Sequence, residues 1–141
     1  MNNNVNIGNK VEVNVCDILR SHGYWAYNCP KSLTGAQPVD IIAYRGGEVK
    51  MFWLIDAKHV RMQNPSFTLG RVEDNQIMSM TYAVQFAQVN PDGVGFVIYF
   101  ERTEEFYWLP YIKVVEMLQS DQKSINLKNL ILFEEVLKWE R

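Results

Sequence analysis

The spacing of apolar residues along the chain predicts four helices. Apolar residues recur with helical spacing over about 9–22, and the pattern stops at Gly23. A second helix is predicted to begin at Asp74, which is a favourable N-cap residue, and to end before the turn that starts at Asn90. Two further amphipathic patterns predict helices at 111–118 and 130–139.

Runs rich in β-branched and aromatic residues predict five strands between these helices. The runs lie at 24–29, 39–44, 49–57, 94–100 and 106–109. Residues 45–48 contain two glycines, which supply the positive φ of a tight hairpin turn between the second and third strands. Residues 58–72 show no regular period, and we expect a crossover loop there.

The third predicted strand, 49–57, contains five consecutive apolar residues without alternation. A strand of this kind is typical of the interior of a sheet, where both faces are covered. We therefore predict that it is central. Together with the helices, this order of elements predicts an α/β fold in which a mixed central β-sheet is flanked by helices.

A length of 141 residues argues for one domain. Residues 1–7 are mostly polar and are expected to form a flexible N-terminal tail, with a single domain over 8–141. Apolar residues at 48% and charged residues at 21% exclude disordered, collagen-like and coiled-coil chains. The longest apolar runs are far shorter than the ~20 residues that span a bilayer, and no targeting segment is evident, so we expect a cytoplasmic protein without a membrane partner.

The cysteines and histidines argue against several kinds of site. Cys16 and Cys29 lie thirteen positions apart and are expected to be reduced thiols. His22 and His59 have no second His or Cys at ligand spacing, which argues against zinc and against a Ser/His or Cys/His triad. Any bound metal is therefore expected to have oxygen ligands.

Two acidic residues and a lysine lie on the predicted hairpin. Asp40 comes early on one strand, and Asp56 and Lys58 end its partner, on the same face because side chains alternate along a strand. Two carboxylates and the backbone carbonyl of Ala57 would form an all-oxygen site suited to Mg²⁺, with the lysine near the attacking water in phosphodiester hydrolysis. The alternative is a structural ion pair between Asp56 and Lys58, because an acidic-x-Lys triplet occurs by chance about once in such a chain.

These residues bear a family resemblance. Pro38-Val39-Asp40 followed by Asp56-Ala57-Lys58 resembles the PD-(D/E)XK nuclease superfamily, with its restriction-endonuclease-like core. The segment 66–76, which reads SFTLGRVEDNQ, is similar to a stretch of RecU-type Holliday junction resolvases, as are 95–100 and 123–125. The resemblance covers about 8–130.

The resemblance implies a Mg²⁺-dependent endodeoxyribonuclease, with Mn²⁺ able to substitute, that cuts branched DNA in recombination and repair. It implies a homodimer and no nucleotide cofactor. Asp40 and Asp56 would hold the metal together with the Ala57 carbonyl, and Lys58 would serve the nucleophilic water. Gln76 would orient water or phosphate, and Glu12 on the first helix would complete the site, unless it is an ordinary solvated carboxylate.

Four loop residues near the proposed site are candidates for phosphate contacts, or else are ordinary solvated residues: Lys31, Ser32, Arg61 and Arg71. The chain departs from the RecU pattern because the segment between the first strand and Asp40 is too short for a protruding stalk, and the small size suits a phage or mobile-element protein. Two alternatives stay open: a nuclease of the same fold that cuts other DNA structures or plain duplex, and a non-catalytic DNA-binding module.

Overall fold

The computed structural model describes residues 3–31, 39–47 and 51–139. Within these residues the helices are α1 (Asn3–Ser21), α2 (Asp74–Gln85), α3 (Tyr111–Leu118) and α4 (Phe133–Trp139). The strands are β1 (Trp25–Asn28), β2 (Ile41–Arg45), β3 (Met51–Val60), β4 (Ser66–Thr68), β5 (Val94–Phe100), β6 (Glu105–Pro110), β7 (Ser124–Asn126) and β8 (Ile131–Leu132). None of the helices in these ranges has the length and apolar character needed to cross a membrane.

Six strands form one mixed sheet in the order β1-β2-β3-β5-β6-β8. β3 and β5 are parallel, and the other neighbouring strands are antiparallel. β3 therefore lies inside the sheet, as its unbroken apolar run predicts, and it forms the predicted antiparallel pair with β2. The prediction of a mixed central sheet flanked by helices is confirmed.

Helices cover both faces of the large sheet. On one face, α1 and α4 pack over Trp53, whose ring meets those of Trp108 and Phe133 edge-on at 5.0 and 5.5 Å. On the other face, α2 and α3 pack over β5 and β6, and Met80 and Phe96 are fully buried there. β3 and β5 lie inside the sheet between these two layers, so a charged side chain on them can reach solvent more easily near a strand end than in the middle of the strand.

Alternation along β3 directs its side chains to the two faces. Ile55 belongs to the apolar cluster under α1 and α4, whereas Leu54 and Val60 belong to the cluster under α2 and α3. Asp56 and Lys58 lie an even number of residues from Leu54 and Val60, so they share the face of α2 and α3. The predicted common face of the acid and the lysine is thus present in the strand.

The predicted start of the first helix at 9 is wrong, because α1 begins at Asn3. Ile7 lies one helical turn before Val11 and packs against the same apolar cluster, which extends the buried stripe toward the N-terminus. Residues 3–7, which we expected in a flexible tail, therefore belong to α1. Residues 1 and 2 lie outside the described residues.

The predicted crossover loop over 58–72 is also wrong in part. β3 continues to Val60, and β4 pairs with β7 in a small two-stranded sheet that carries the fully buried Phe67. A three-residue strand has no readable period, and its partner lies far along the chain, so the local pattern does not predict it. β7 and β8 escape prediction for the same reason. The N-cap of α2 is Glu73 rather than Asp74.

Gly93 is expected to be required for the close approach of β3 and β5. A Cβ at this position would collide with the backbone carbonyl of Phe52, whereas a Cβ at Gly70 meets nothing within 4 Å. We expect Gly93→Ala to lower the free energy of unfolding by about 1–3 kcal/mol, because the strand backbones must separate. Urea unfolding checks this, with Gly70→Ala as the control that changes stability by less than about 0.5 kcal/mol. Equal stability of the two variants would contradict the close packing of Gly93 against the backbone of Phe52.

Candidate active site at the β2–β3 junction

Hydrogen bonds tie Asp40, which directly precedes β2, to the neighbouring strands. Its carbonyl accepts from the Cys29 N–H at 2.8 Å, and its own N–H donates to the Ile55 carbonyl at 3.1 Å and to Asp56 Oδ1 at 3.2 Å. Its Oδ2 accepts from the Ala57 N–H at 2.9 Å. Backbone and side chain of Asp40 are thus both tied to the end of β3. The structure brings together the two acids predicted from the hairpin.

Asp56 is the most buried charged residue of the site, with 2% of its surface exposed. Its Oδ2 atom is buried, and within the described part of the chain no group donates a hydrogen bond to it. Burial, followed by the charge of Asp40, raises the pKa of Asp56 to about 7, although the charge of Lys58 acts in the opposite direction. Burial of an ionised carboxylate oxygen without a partner costs free energy, unless the oxygen is protonated or binds a cation.

Lys58 is positioned by the N-terminus of α2. Its Nζ donates to Gln76 Oε1 at 3.0 Å, and the same oxygen accepts from the Glu73 N–H at 3.1 Å. Gln76 therefore caps its own helix and fixes the ammonium on β3 at the same time. Burial lowers the pKa of Lys58, and the carboxylates of Asp56, Asp40 and Glu73 work against this shift. The direct partner of the ammonium is thus an amide oxygen.

Glu12 enters the site from α1, and it is almost completely buried at 6% exposure. Lys31 Nζ lies 2.5 Å from Glu12 Oε2 and 3.4 Å from Asp40 Oδ1. Burial raises the pKa of Glu12, opposed by the hydrogen bond from Lys31. Lys31 was predicted to contact phosphate, and in the structure its ammonium bridges two carboxylates. The sequence did not predict this contact, because nothing in the local pattern connects positions 12 and 31. Ser32 lies outside the described residues.

A cavity of about 480 Å³ opens beside Lys58 and is lined mainly by polar and basic residues. Arg61 and Arg71, both predicted to contact phosphate, line it together with Ala57, Lys58 and Asn64. Arg71 Nη1 donates to a backbone carbonyl of β3, that of His59. Burial and the positive charge of Arg61, which lines the same cavity, lower the pKa of Arg71. Asn64 was not predicted, because an isolated loop asparagine carries no signal.

The donors at this junction fit a hard divalent cation. Within the described residues, no cluster of three or more His, Cys, Asp and Glu side chains is arranged as a metal site. The donor set consists instead of two carboxylates, Asp40 and Asp56, with the Ala57 carbonyl as a backbone oxygen. Mg²⁺ commonly binds one or two protein carboxylates and keeps several waters. Asp56 Oδ2, to which no described group donates a hydrogen bond, is available as one of these ligands.

Comparison with known proteins identifies the fold. Neither a protein-family model nor a curated protein matches the sequence of the chain. The structure matches Hjc of Archaeoglobus fulgidus, a Holliday junction resolvase, with a TM-score of 0.63 and 14% identity over 94% of this chain and 99% of that one. It also matches a nuclease from a fusselovirus, with a TM-score of 0.51 and 9% identity over 92% of this chain and 87% of that one. The chain therefore has a restriction-endonuclease-like nuclease fold, as predicted.

Asp56 is expected to destabilise the metal-free protein at alkaline pH. Its pKa is raised from 3.8 to about 7 in the folded state, so the stability that its protonated form provides is lost as the pH rises through about 7. Asp56→Asn keeps an oxygen that can accept from Asp40 but carries no charge. In EDTA, we expect it to raise the melting temperature by several degrees at pH 8, and the gain to shrink as the pH falls toward 4. Asp121→Asn, at an exposed position, serves as the control. A gain that is independent of pH would contradict the assignment.

Proposed function

We propose that this protein is a metal-dependent endonuclease that hydrolyses phosphodiester bonds in DNA. The observation that carries the proposal is the convergence of Asp40, Asp56 and Lys58 at the end of β3, beside a cavity lined by Arg61 and Arg71. The fold shared with a Holliday junction resolvase and a viral nuclease supports it.

Mg²⁺ is the proposed metal, with Mn²⁺ as a substitute, and Asp40, Asp56 and the Ala57 carbonyl would hold it. When bound, Mg²⁺ would lower the pKa of a water and offset the negative charge that develops on the phosphate. Asp56 must be ionised to act as a ligand, and the nearby charge of Lys58 favours the ionised form. The unpartnered Oδ2 of Asp56 makes this residue the strongest single candidate for a ligand.

Lys58 is proposed to act on the attacking water or on a phosphate oxygen. Gln76 holds its Nζ at 3.0 Å and so restricts the directions from which the amine can reach a substrate in the adjoining cavity. A positioned donor of this kind stabilises charge that appears in the transition state more than charge in the ground state. Gln76 is therefore proposed to position Lys58, in addition to its proposed contact with water or phosphate.

The basic side of the cavity is proposed to bind the DNA backbone. Arg61 and Arg71 lie on the same side as Lys58, and guanidinium groups bind phosphate oxygens in a bidentate manner. These contacts would hold the strand without reading its sequence.

Branched DNA is the proposed substrate, and recombination and repair are the proposed setting. The fold match to a Holliday junction resolvase and the RecU-like motif support a junction over plain duplex. A nuclease of the same fold that cuts flaps or duplex, and a DNA-binding module without turnover, are the alternatives that the next experiment separates.

Cleavage of labelled four-way junction, flap and linear duplex tests the activity and the substrate. With Mg²⁺ we expect the wild type to nick the junction symmetrically. We expect Asp56→Asn and Lys58→Met each to lower the rate by about 100-fold or more, because each removes a group that acts on the transition state. EDTA should abolish cleavage. Lys113→Met on α3, where Lys113 lies near Glu116 of the same helix, is the matched lysine control and should cut normally.

The outcomes of this assay separate the alternatives. Cutting of all three DNAs would keep the nuclease and remove junction preference. Binding without any cutting would favour the non-catalytic module. Wild-type rates in Asp56→Asn would contradict the site assignment.

We propose that the protein acts as a homodimer through the outer face of α2. Met78, Tyr82 and Phe86 form a stripe along this face with 70, 66 and 70% exposure, and the rings of Tyr82 and Phe86 contact each other at 5.2 Å. The sequence contains no charged residue from 75 to 91. A two-fold contact brings a surface against its own copy, so an uncharged apolar stripe is compatible with self-association.

Phe86→Glu is expected to convert the dimer to a monomer, because two copies of the new charge would meet across the two-fold axis. Sedimentation velocity measures the change, and circular dichroism shows that the fold is kept. Ile112→Glu, on the outer face of α3 with 47% exposure, is the control and should remain dimeric. A monomeric wild type, or a dimeric Phe86→Glu, would contradict this interface.

A further inference from the structure

Lys31 is an exposed lysine that binds two largely buried carboxylates of the site. Its side chain is 54% exposed, whereas those of its two partners, Glu12 and Asp40, are only 7% and 12% exposed. The ammonium therefore faces solvent on one side and two largely buried carboxylates on the other. An exposed lysine can leave such a position without unfolding the core around it.

Both oxygens of Asp40 already have a hydrogen-bond donor. Oδ2 accepts from the backbone N–H of Ala57, which is fixed within β3, and Oδ1 lies 3.4 Å from Lys31 Nζ. A cation that coordinates Asp40 thus competes with a backbone donor at Oδ2 and with the ammonium of Lys31 at Oδ1. Of these two donors, the exposed Lys31 side chain is the one that can move away without a change in β3.

The charges of the site also favour the release of Lys31 from Asp40 when a cation binds. Glu12, Asp40 and Asp56 supply three carboxylates at the junction, and burying them without a cation costs free energy. Lys31 compensates Glu12 and Asp40, while Lys58 lies on the side of Asp56 and Gln76. A divalent cation at Asp40 would repel the ammonium of Lys31, because both positive charges would lie beside the same oxygen.

We propose that Lys31 is a tethered competitor of the divalent cation. It occupies the carboxylates of Glu12 and Asp40 in the metal-free protein and leaves Asp40 when the cation binds, so it sets the metal concentration at which the site fills. The inference rests on the metal site of the proposed function.

Mn²⁺ titration of the free protein by calorimetry and electron paramagnetic resonance tests the inference without any measurement of cleavage. Lys31→Met removes the charge and keeps the length of the side chain, so we expect Mn²⁺ to bind about tenfold tighter than to the wild type. Lys31→Arg keeps the charge and should bind Mn²⁺ much as the wild type does. Lys113→Met is the matched control for the loss of a lysine elsewhere and should leave the affinity unchanged. Equal or weaker binding by Lys31→Met would overturn the inference.

A labelling experiment on the wild type avoids the question of whether Lys31→Met folds. Acetic anhydride modifies exposed amines, and mass spectrometry reports the extent at each lysine. We expect Mn²⁺ to increase the labelling of Lys31 severalfold relative to Lys113, because the ammonium leaves its carboxylate partners. Labelling of Lys31 that does not change with Mn²⁺ would overturn the inference.

The same titration separates failure of this inference from failure of the proposed function. Asp56→Asn removes a proposed ligand and should weaken Mn²⁺ binding. If the wild type binds no Mn²⁺, the metal site itself is wrong and the inference falls with it. If the wild type binds Mn²⁺, Asp56→Asn weakens binding and Lys31→Met has no effect, the metal site stands and only the competition by Lys31 is wrong.

Discussion

The hydrogen bonds between Asp40 and the end of β3 are the constraint on which the candidate site depends. The N–H of Asp40 serves both the Ile55 carbonyl and the Asp56 carboxylate, and its side chain binds the Ala57 N–H. Pairing between β2 and β3 thus continues one residue beyond β2 and ends on the two acids. Their relative positions are set by the sheet rather than by a flexible loop, which is what a site for a small cation requires.

Burial explains why these groups are both costly and useful. β3 lies inside the sheet, and its charged residues emerge where the strand leaves the apolar core. Two of these charged groups have a partner from another element: Lys31, which follows β1, binds Glu12 of α1, and Gln76 of α2 binds Lys58. Asp56 keeps one oxygen without a partner, and its raised pKa is the electrostatic sign of that deficit. A cation bound at Asp56 Oδ2 would therefore stabilise the site.

Local sequence patterns were sufficient where an apolar run or a helical period extends over several residues. The run at 94–100 is β5 from end to end, and the pattern at 111–118 is α3 from end to end. They were insufficient for β4, β7 and β8, which have only two or three residues each and exist because distant segments pair with them. The start of α1 was placed six residues too late, because the polar residues around Ile7 hide its packing against the apolar cluster under α1.

The sequence by itself determined the α/β order, the central position of β3, and the common face of Asp56 and Lys58, because each of these follows from apolar runs and from the two-residue period of a strand. The tertiary structure alone decided that Lys31 meets Glu12 and Asp40 and that Gln76 meets Lys58. Local periodicity describes a residue relative to its own helix or strand. Contacts between α1, α2 and the sheet depend on how those elements pack, and packing is decided by the apolar core as a whole rather than by any one segment.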